Sequence, residues 1–275
     1  MKHFLALVCV VSFLVCCTSG RAHGTVQCDA PPGMPGAEIL LFGETHGSAE
    51  SPALVGEVVC AYAKQGPVAL GLEMPSTEEA PIGVYLASDG DGDARGKLRS
   101  APFWLHQDGR SSVAMFDLIE WVRHLKHGGL PVSVFTLNPN LARTSDDNRA
   151  IAQALRAFHA KHPARRIVAL MGNLHAGQAK ISPFGSTIVP AGYLLRDLHP
   201  VSVYVANPGG SIWACMGTCG VHEVGGHWYP GRKPGFYADS PVQGYSMSYM
   251  LPGLTASPPA GESAGTGRQA MDGRQ

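Results

Sequence analysis

The sequence predicts an α/β fold, with a mainly parallel central sheet flanked by helices and a β-hairpin extension near the C-terminal end. Short apolar runs alternate with longer stretches whose apolar residues recur at helical spacing, which is typical of β-α-β units. Glycine and proline separate these segments. Hydrophobic residues make up 45% of the chain, enough for a sizeable core.

The strands are predicted from four largely apolar runs. Each is bounded by glycine, proline or polar residues, as expected for strands that are buried on both faces of a parallel sheet. The runs are 38–42 (EILLF), 68–72 (VALGL), 132–137 (VSVFTL) and 167–171 (IVALM). The crossovers that join them are expected to be right-handed.

Amphipathic helices are predicted between these strands. The first opens at Ser51-Pro52, because proline is favoured at the first helical position. The second begins near Ser111-Ser112, after an irregular, largely helical stretch at 89–110. Ser145 or Asp146 caps the third. Their apolar stripes are Leu54, Val58, Ala61 and Tyr62; Met115, Leu118, Ile119, Val122 and Leu125; and Ile151, Leu155 and Phe158.

The pattern changes in the C-terminal third. Residues 201–205 and 211–214 flank Asn207-Pro208-Gly209-Gly210, which indicates a hairpin that turns at these four residues. One more strand is predicted within 245–251. Residues 255–275 are rich in Gly, Ser, Pro and Ala with few apolar anchors, so we expect a disordered tail there.

Residues 1–22 are predicted to be a signal peptide, since the basic Lys2 precedes an apolar run too short for a membrane span. Cleavage is expected after Ala22. An uncleaved anchor and a lipid anchor at Cys16 or Cys17 are the alternatives. The remaining 23–254 are expected to form one α/β domain that is exported, periplasmic or secreted, with no membrane span in the mature chain.

The charge balance indicates which partners are excluded, and the cysteine content indicates disulfides. The 21 basic and 21 acidic residues balance, and no basic run is present, which argues against nucleic acid as a partner. The mature chain would keep four cysteines. In an oxidising compartment they are expected to form two disulfides, Cys28–Cys60 and Cys215–Cys219.

Polar residues follow the predicted strands where each strand ends. Glu44 and His46 follow the first strand, Glu73 the second, and Asn173 and His175 the fourth. Three more polar residues follow the third strand: Asn138, Arg143 and Arg149. Because the carboxyl ends of parallel strands lie at one edge of the sheet, these side chains are expected to converge there.

Two chemistries suit these residues. In the first, His46 is a general base that takes a proton from water, Glu44 or Glu73 orients its ring, and His175 or an arginine stabilises the developing negative charge. Supporting roles are predicted for Asn173, Arg149 and Arg110. In the second, His46, His175 and a glutamate such as Glu44 hold zinc, manganese or iron, which activates the water.

Three motifs carry a resemblance to a known family. Gly43-Glu44-Thr45-His46-Gly47, Gly71-Leu72-Glu73-Met74 and Gly172-Asn173-Leu174-His175 together resemble the erythromycin esterase / ChaN-like / Tiki superfamily. That resemblance implies an α/β fold with the active edge at these motifs. It also implies one of three activities: a macrolide esterase with a histidine base, a Tiki-type metal-dependent protease, or a ChaN-type haem-binding lipoprotein.

Residue by residue, His46 is similar to the family's essential histidine, Glu44 and Glu73 to its acidic partners, and His175 to its second histidine. One residue separates Glu44 from His46, where esterases have two, so the spacing is closer to the ChaN-like branch.

Three functions follow as hypotheses. The first is an exported hydrolase for an ester or amide in a small molecule or peptide. The second is a haem- or metal-binding uptake protein without catalysis. The third is a relative that keeps only the scaffold and binds a partner.

Overall fold

The computed structural model describes residues 26–137, 147–183, 185–227 and 230–261. Several predicted features lie outside them: the signal peptide, Asn138, Arg143 and the helix cap at Ser145 or Asp146. Of the helices in the described part of the chain, none has the length and apolar character needed to cross a membrane.

The described strands form one eight-stranded, mixed sheet. They are β1 (Ile39–Glu44), β2 (Val68–Leu72), β3 (Val132–Thr136), β4 (Arg166–Gly172), β5 (Val201–Met216), β6 (Thr218–His227), β7 (Gly235–Tyr237) and β8 (Met247–Met250). Their order is β3-β2-β4-β1-β5-β8-β7, and β6 pairs with β5. The strands from β3 to β8 in this order pair in parallel, whereas β6 and β7 pair antiparallel with their neighbours. This confirms the predicted α/β class and its four core strands.

Helices flank the sheet. They are α1 (Glu50–Ala63), α2 (Glu79–Ala87), α3 (Gly92–Arg99), α4 (Val113–His127), α5 (Asp147–Lys161), α6 (Asn173–Ala176) and α7 (Ala191–Leu194). The apolar stripes of α1 and α4 pack on the face that presents Leu40 and Phe42. The stripe of α5 packs on the opposite face, which presents Ile39 and Leu41. Alternate side chains of β1 therefore pack into two cores, one on each face, as expected for a sheet that is covered on both faces.

The predicted hairpin turn at Asn207-Pro208-Gly209-Gly210 is wrong. β5 runs through these residues without turning, and the hairpin turns instead at Gly217, between β5 and β6. Gly209 and Gly210 allow neighbouring backbone segments to come close to β5 and do not reverse the direction of the chain. A Cβ on Gly209 would lie 2.8 Å from the carbonyl oxygen of Val224, and a Cβ on Gly210 would lie 2.2 Å from that of Leu254.

The expected disorder does not begin at residue 255. Residues 255–261 pack against the start of α4, where Val113 donates its backbone N–H to Pro258 and Ala260 donates to Ser111, each at 2.8 Å. Ser257 donates to Gly47 at 2.8 Å, so this segment also braces the turn after β1. Backbone pairing replaces the apolar anchors that the composition lacks. Residues 262–275 lie outside the described part.

Both predicted disulfides form, one between Cys28 and Cys60 and the other between Cys215 and Cys219. The first ties the chain ahead of β1 to α1 across a separation of 32 residues. The second closes the tip of the β5–β6 hairpin across a separation of 4. A cross-link that closes a longer loop removes more chain entropy from the unfolded state, so the first should stabilise more.

Replacing Cys28 and Cys60 together by alanine is expected to lower the free energy of unfolding by about 3–4 kcal/mol. The pair Cys215→Ala and Cys219→Ala is expected to lower it by about 2 kcal/mol. Chemical denaturation of the three proteins without reductant measures both losses. An equal or larger loss of unfolding free energy for the hairpin disulfide would contradict the expectation that the Cys28–Cys60 bond stabilises the protein more.

Candidate active site

The turn after β1 places the first two candidate residues. β1 ends at Glu44, and the chain passes through His46 and Gly47 before it enters α1. Gly47 has φ +85°, and a Cβ there would lie 2.0 Å from the carbonyl oxygen of Trp213, so glycine lets this turn pass against β5. The turn brings His46 back to its own strand end, where its Nδ1 lies 2.9 Å from Oε1 of the buried Glu44.

Glu73 lies at the centre of the cluster. It follows β2 and is 8% exposed. Its Oε2 accepts the backbone N–H of Gly172 at 2.7 Å and lies 3.4 Å from His46 Nε2. Its Oε1 lies 3.6 Å from Arg110 Nη1 and 3.8 Å from His175 Nε2. One buried carboxylate therefore faces three cationic or titratable side chains from three different segments.

His175 is held from behind by a residue of α5. It lies in α6, directly after β4, and its Nδ1 is 2.8 Å from Oδ1 of Asn148. The same oxygen of Asn148 accepts the backbone N–H of Ala191 at 2.9 Å. This contact fixes the ring of His175 with its Nε2 towards Glu73.

Arg110 enters the cluster from the loop ahead of α4. Its Nε donates to Asp108 Oδ2 at 2.9 Å, and its Nη2 donates to the same oxygen. The side chain is held in place by Asp108, and its remaining terminal nitrogen faces Glu73. Arg110 therefore faces the other candidate residues.

The cluster forms the floor of a cavity of about 780 Å³. Arg149 and Asn173 also line it, and the carbonyl oxygen of Asn173 accepts the hydroxyl hydrogen of the partly buried Tyr245. Four apolar side chains, which we call the apolar wall, also line it: Leu174, Ile188, Val189 and Leu194. A small molecule can therefore reach the two histidines beside an apolar surface.

The surroundings drive the pKa values of the two histidines in opposite directions. Burial alone would lower the pKa of His46, but the charge of Glu73 and the hydrogen bond to Glu44 outweigh it and raise the pKa to about 10. At His175, burial lowers the pKa, and the charge of Glu73 compensates only in part. At neutral pH the first ring is therefore charged and the second is neutral.

The two carboxyl groups also differ. Burial raises the pKa of Glu44, although its hydrogen bond to His46 acts against that shift. Burial would likewise raise the pKa of Glu73, but the charge of His46, its hydrogen bond, His175 and the N–H of Gly172 lower it well below the ordinary value. Glu73 is thus the ionised partner of His46.

Four residues predicted from the sequence lie together in the structure: Glu44, His46, Glu73 and His175. Three further residues of the cluster were not predicted from the sequence: Asn148, Asp108 and Asp147, the last of which also lines the cavity. Asn148 and Asp147 stand at the start of α5. A helix start that follows a strand end was the available signal, because such positions lie at the carboxyl edge of the sheet.

The predicted metal set that includes Glu44 does not fit this arrangement. Glu44 contacts Nδ1 of His46, whereas Glu73 and His175 lie on the side of Nε2. A single ion therefore cannot bind Glu44 together with both histidines. Within the described ranges, no group of three or more His, Cys, Asp or Glu side chains is arranged to hold a metal ion.

Comparisons with known proteins identify the fold. No family model matches the chain, and neither does any curated protein sequence. A mutant of the erythromycin esterase EreC in its open conformation superposes with a TM-score of 0.51, at 10% identity over 81% of this chain and 76% of that chain. A protein from Bacillus cereus superposes with a TM-score of 0.51, at 11% identity over 80% of this chain and 90% of that chain.

A third solved structure, the haem-bound ChaN of Campylobacter jejuni, superposes with a TM-score of only 0.37, at 12% identity over 62% of this chain and 81% of that chain. That similarity is too low to support an argument about haem. At the level of the fold, the resemblance to an erythromycin esterase is confirmed. The low identities do not extend that similarity to activity or substrate.

Proposed function

We propose that this protein is a hydrolase for carboxylic esters that activates water at Glu44, His46, Glu73 and His175. One observation carries the proposal: two imidazole rings face one buried carboxylate, and their pKa values are shifted in opposite directions. Such a pair supplies an acid and a base at the same pH. The fold shared with an esterase supports the same reaction class by analogy alone.

The cavity favours a substrate with an apolar group. The apolar wall, which consists of Leu174, Ile188, Val189 and Leu194, lines the same cavity as the two histidines. Arg110, whose Nη1 lies beside Glu73, provides a cationic donor for a carbonyl or carboxylate oxygen. An ester with an apolar acyl or alcohol part satisfies both surfaces, and an amide of the same shape is the harder substrate because its leaving group is more basic.

The experiment is a panel of nitrophenyl esters of increasing acyl length, with matching nitroanilides for the amide reaction. We expect the wild-type protein to hydrolyse esters, with kcat/KM rising with acyl length as the apolar wall is filled. Absence of turnover with every ester and anilide would overturn the proposal. So would equal turnover in the wild type and in both His46→Ala and His175→Ala.

Gly172→Ala tests whether the position of His46 matters. A Cβ at Gly172 would lie 2.9 Å from His46 Nε2, so the ring would have to move. That movement would disturb the contact between its Nδ1 and Glu44. We expect ester turnover to fall by about 100-fold with little change in thermal stability. Gly177→Ala is the matched control, since its Cβ would meet the ring of Tyr245 at an ordinary 3.4 Å. Equal turnover in the two variants would contradict the role of His46.

Haem binding without catalysis is the second candidate. It is favoured by one observation: the Nε2 of His175 faces a cavity that has an apolar wall. Titration with haemin tests it, and this candidate requires a Soret shift that His175→Ala abolishes. A wild-type protein without a Soret shift would eliminate it.

Export is also part of the proposal. The two disulfides are compatible with an oxidising compartment. Cleavage after Ala22 would make His23 the first residue of the mature protein. N-terminal sequencing of the protein from the exported fraction tests this, and a chain that keeps Met1 would contradict cleavage.

A further inference from the structure

The contacts of Asn148 settle which nitrogen of His175 carries its proton. Oδ1 of Asn148 lies 2.9 Å from the backbone N of Ala191 and 2.8 Å from Nδ1 of His175. A backbone N–H can only donate, so the atom of Asn148 that it meets must be the acceptor oxygen. That oxygen cannot donate to His175. Nδ1 of His175 must therefore carry a hydrogen and donate it.

A neutral His175 then has its lone pair on Nε2. This nitrogen faces the cavity, 3.8 Å from Oε1 of Glu73, which is beyond hydrogen-bond distance. Glu73 therefore accepts no hydrogen bond from Nε2, and this contact does not require a hydrogen on that nitrogen. Burial, which lowers the pKa of His175, favours the same neutral form.

His46 differs from His175, because each of its two ring nitrogens faces a carboxyl oxygen. Its Nδ1 lies 2.9 Å from Glu44 Oε1 and its Nε2 lies 3.4 Å from Glu73 Oε2. Each nitrogen faces a carboxyl oxygen, which favours a hydrogen on both. A doubly protonated ring has no lone pair and cannot accept a proton from water. His46, which the sequence indicated as the base, is thus placed as a donor.

Building on the proposed hydrolase function, we infer that His175 takes the proton from the attacking water, that Asn148 is the positioning residue that fixes its tautomer, and that His46 remains protonated and stabilises the oxyanion. The division of labour follows from the partners of the four ring nitrogens. Glu44 and Glu73 then serve to keep His46 charged.

The reaction balances with these two residues. The water oxygen bonds to the ester carbonyl carbon while one of its protons moves to His175 Nε2, and the carbonyl π electrons move to the carbonyl oxygen beside the Nε2–H of His46. When this intermediate collapses, the bond to the alcohol oxygen breaks and that oxygen takes the proton from His175 Nε2. One ester and one water give one acid and one alcohol, and both histidines return to their initial states.

The first test needs no substrate, so its failure is distinct from failure of the hydrolase proposal. Long-range ¹H–¹⁵N spectra of the labelled full-length protein at neutral pH report the tautomer of each ring, with assignments from His46→Ala and His175→Ala. We expect a neutral His175 with the hydrogen on Nδ1 and a doubly protonated His46. A His175 with its hydrogen on Nε2, or a neutral His46, would overturn the inference even if esters are hydrolysed.

The second test uses two variants of Asn148 with the ester substrate. Asn148→Ala should lower kcat by about 100-fold with KM nearly unchanged, because the ring of His175 is no longer held. Asn148→Asp keeps both hydrogen bonds and should restore most of the activity. Its added charge favours the imidazolium form of His175, so the acid limb of the pH profile should move to higher pH.

A purely structural role for Asn148 predicts that the aspartate variant has the wild-type pH profile, and that result would contradict the positioning role. Loss of folding in Asn148→Ala does not remove the test, because Asn148→Asp and the spectra of the wild type decide it without that variant.

Discussion

Glu73→Gln is expected to lower the pKa of His46 from about 10 towards its ordinary value of 6.5. The carboxylate of Glu73 is the largest of the contributions that raise this pKa, and glutamine removes its charge while keeping a similar shape. The hydrogen bond to Glu44 remains, so the pKa should stay above 6.5. Asp108, Arg110 and His175 also face this cluster and are unchanged.

The measurement is an NMR titration of the His46 ring in the wild type and in the variant. Because the pKa of His46 is raised in the wild type, the ring stays charged below about pH 10. In the variant it should lose its proton nearer to neutral pH. Glu38→Gln is the matched control, since Glu38 is exposed just before β1. A wild-type His46 that titrates near 6.5, or a midpoint that Glu73→Gln leaves in place, would contradict the ion pair.

His175→Ala is expected to lower kcat for an ester by roughly 10²- to 10⁴-fold, because the variant lacks the group that we propose as the base. His46→Ala removes an oxyanion donor instead, and a loss of roughly 10²- to 10³-fold is expected. The double variant should be little worse than His175→Ala, because groups that act as a unit have non-additive effects.

Steady-state kinetics of the four proteins measure these losses, and circular dichroism checks that each variant is folded. His127→Ala is the control, an exposed histidine at the end of α4. Wild-type turnover in His175→Ala would show that this residue takes no part in the reaction.

The location of the candidate site was predictable from the sequence. Three apolar runs are followed by Glu44, Glu73 and His175. If these runs form parallel strands, the three residues lie at the carboxyl edge of the sheet. The pairing of Glu44 with Gly172, opposite each other in β1 and β4, then brings the two distant motifs into contact. Strand pattern and strand direction together were sufficient for this.

The roles proposed for the residues of the candidate site were not predictable from the sequence. Whether Glu44 or Glu73 faces a given nitrogen of His46 depends on the turn at Gly47 and on the path of β5 above it, which no local pattern encodes. The helix start of α5 places Asn148 only at the carboxyl edge of the sheet, and no local pattern indicates that it lies behind His175. Similarly, Gly209 and Gly210 resemble a turn in sequence but are required for close contact between strands.

The pH dependence of kcat/KM for an ester tests the central claim most directly, because it reports the acid and the base of the free enzyme. If His175 is the base and His46 the charged donor, kcat/KM should form a plateau across neutral pH and fall as the pH passes about 10, where His46 loses its proton. If kcat/KM instead rises steadily to about pH 10, His46 is the base and the assignment of that role to His175 is wrong.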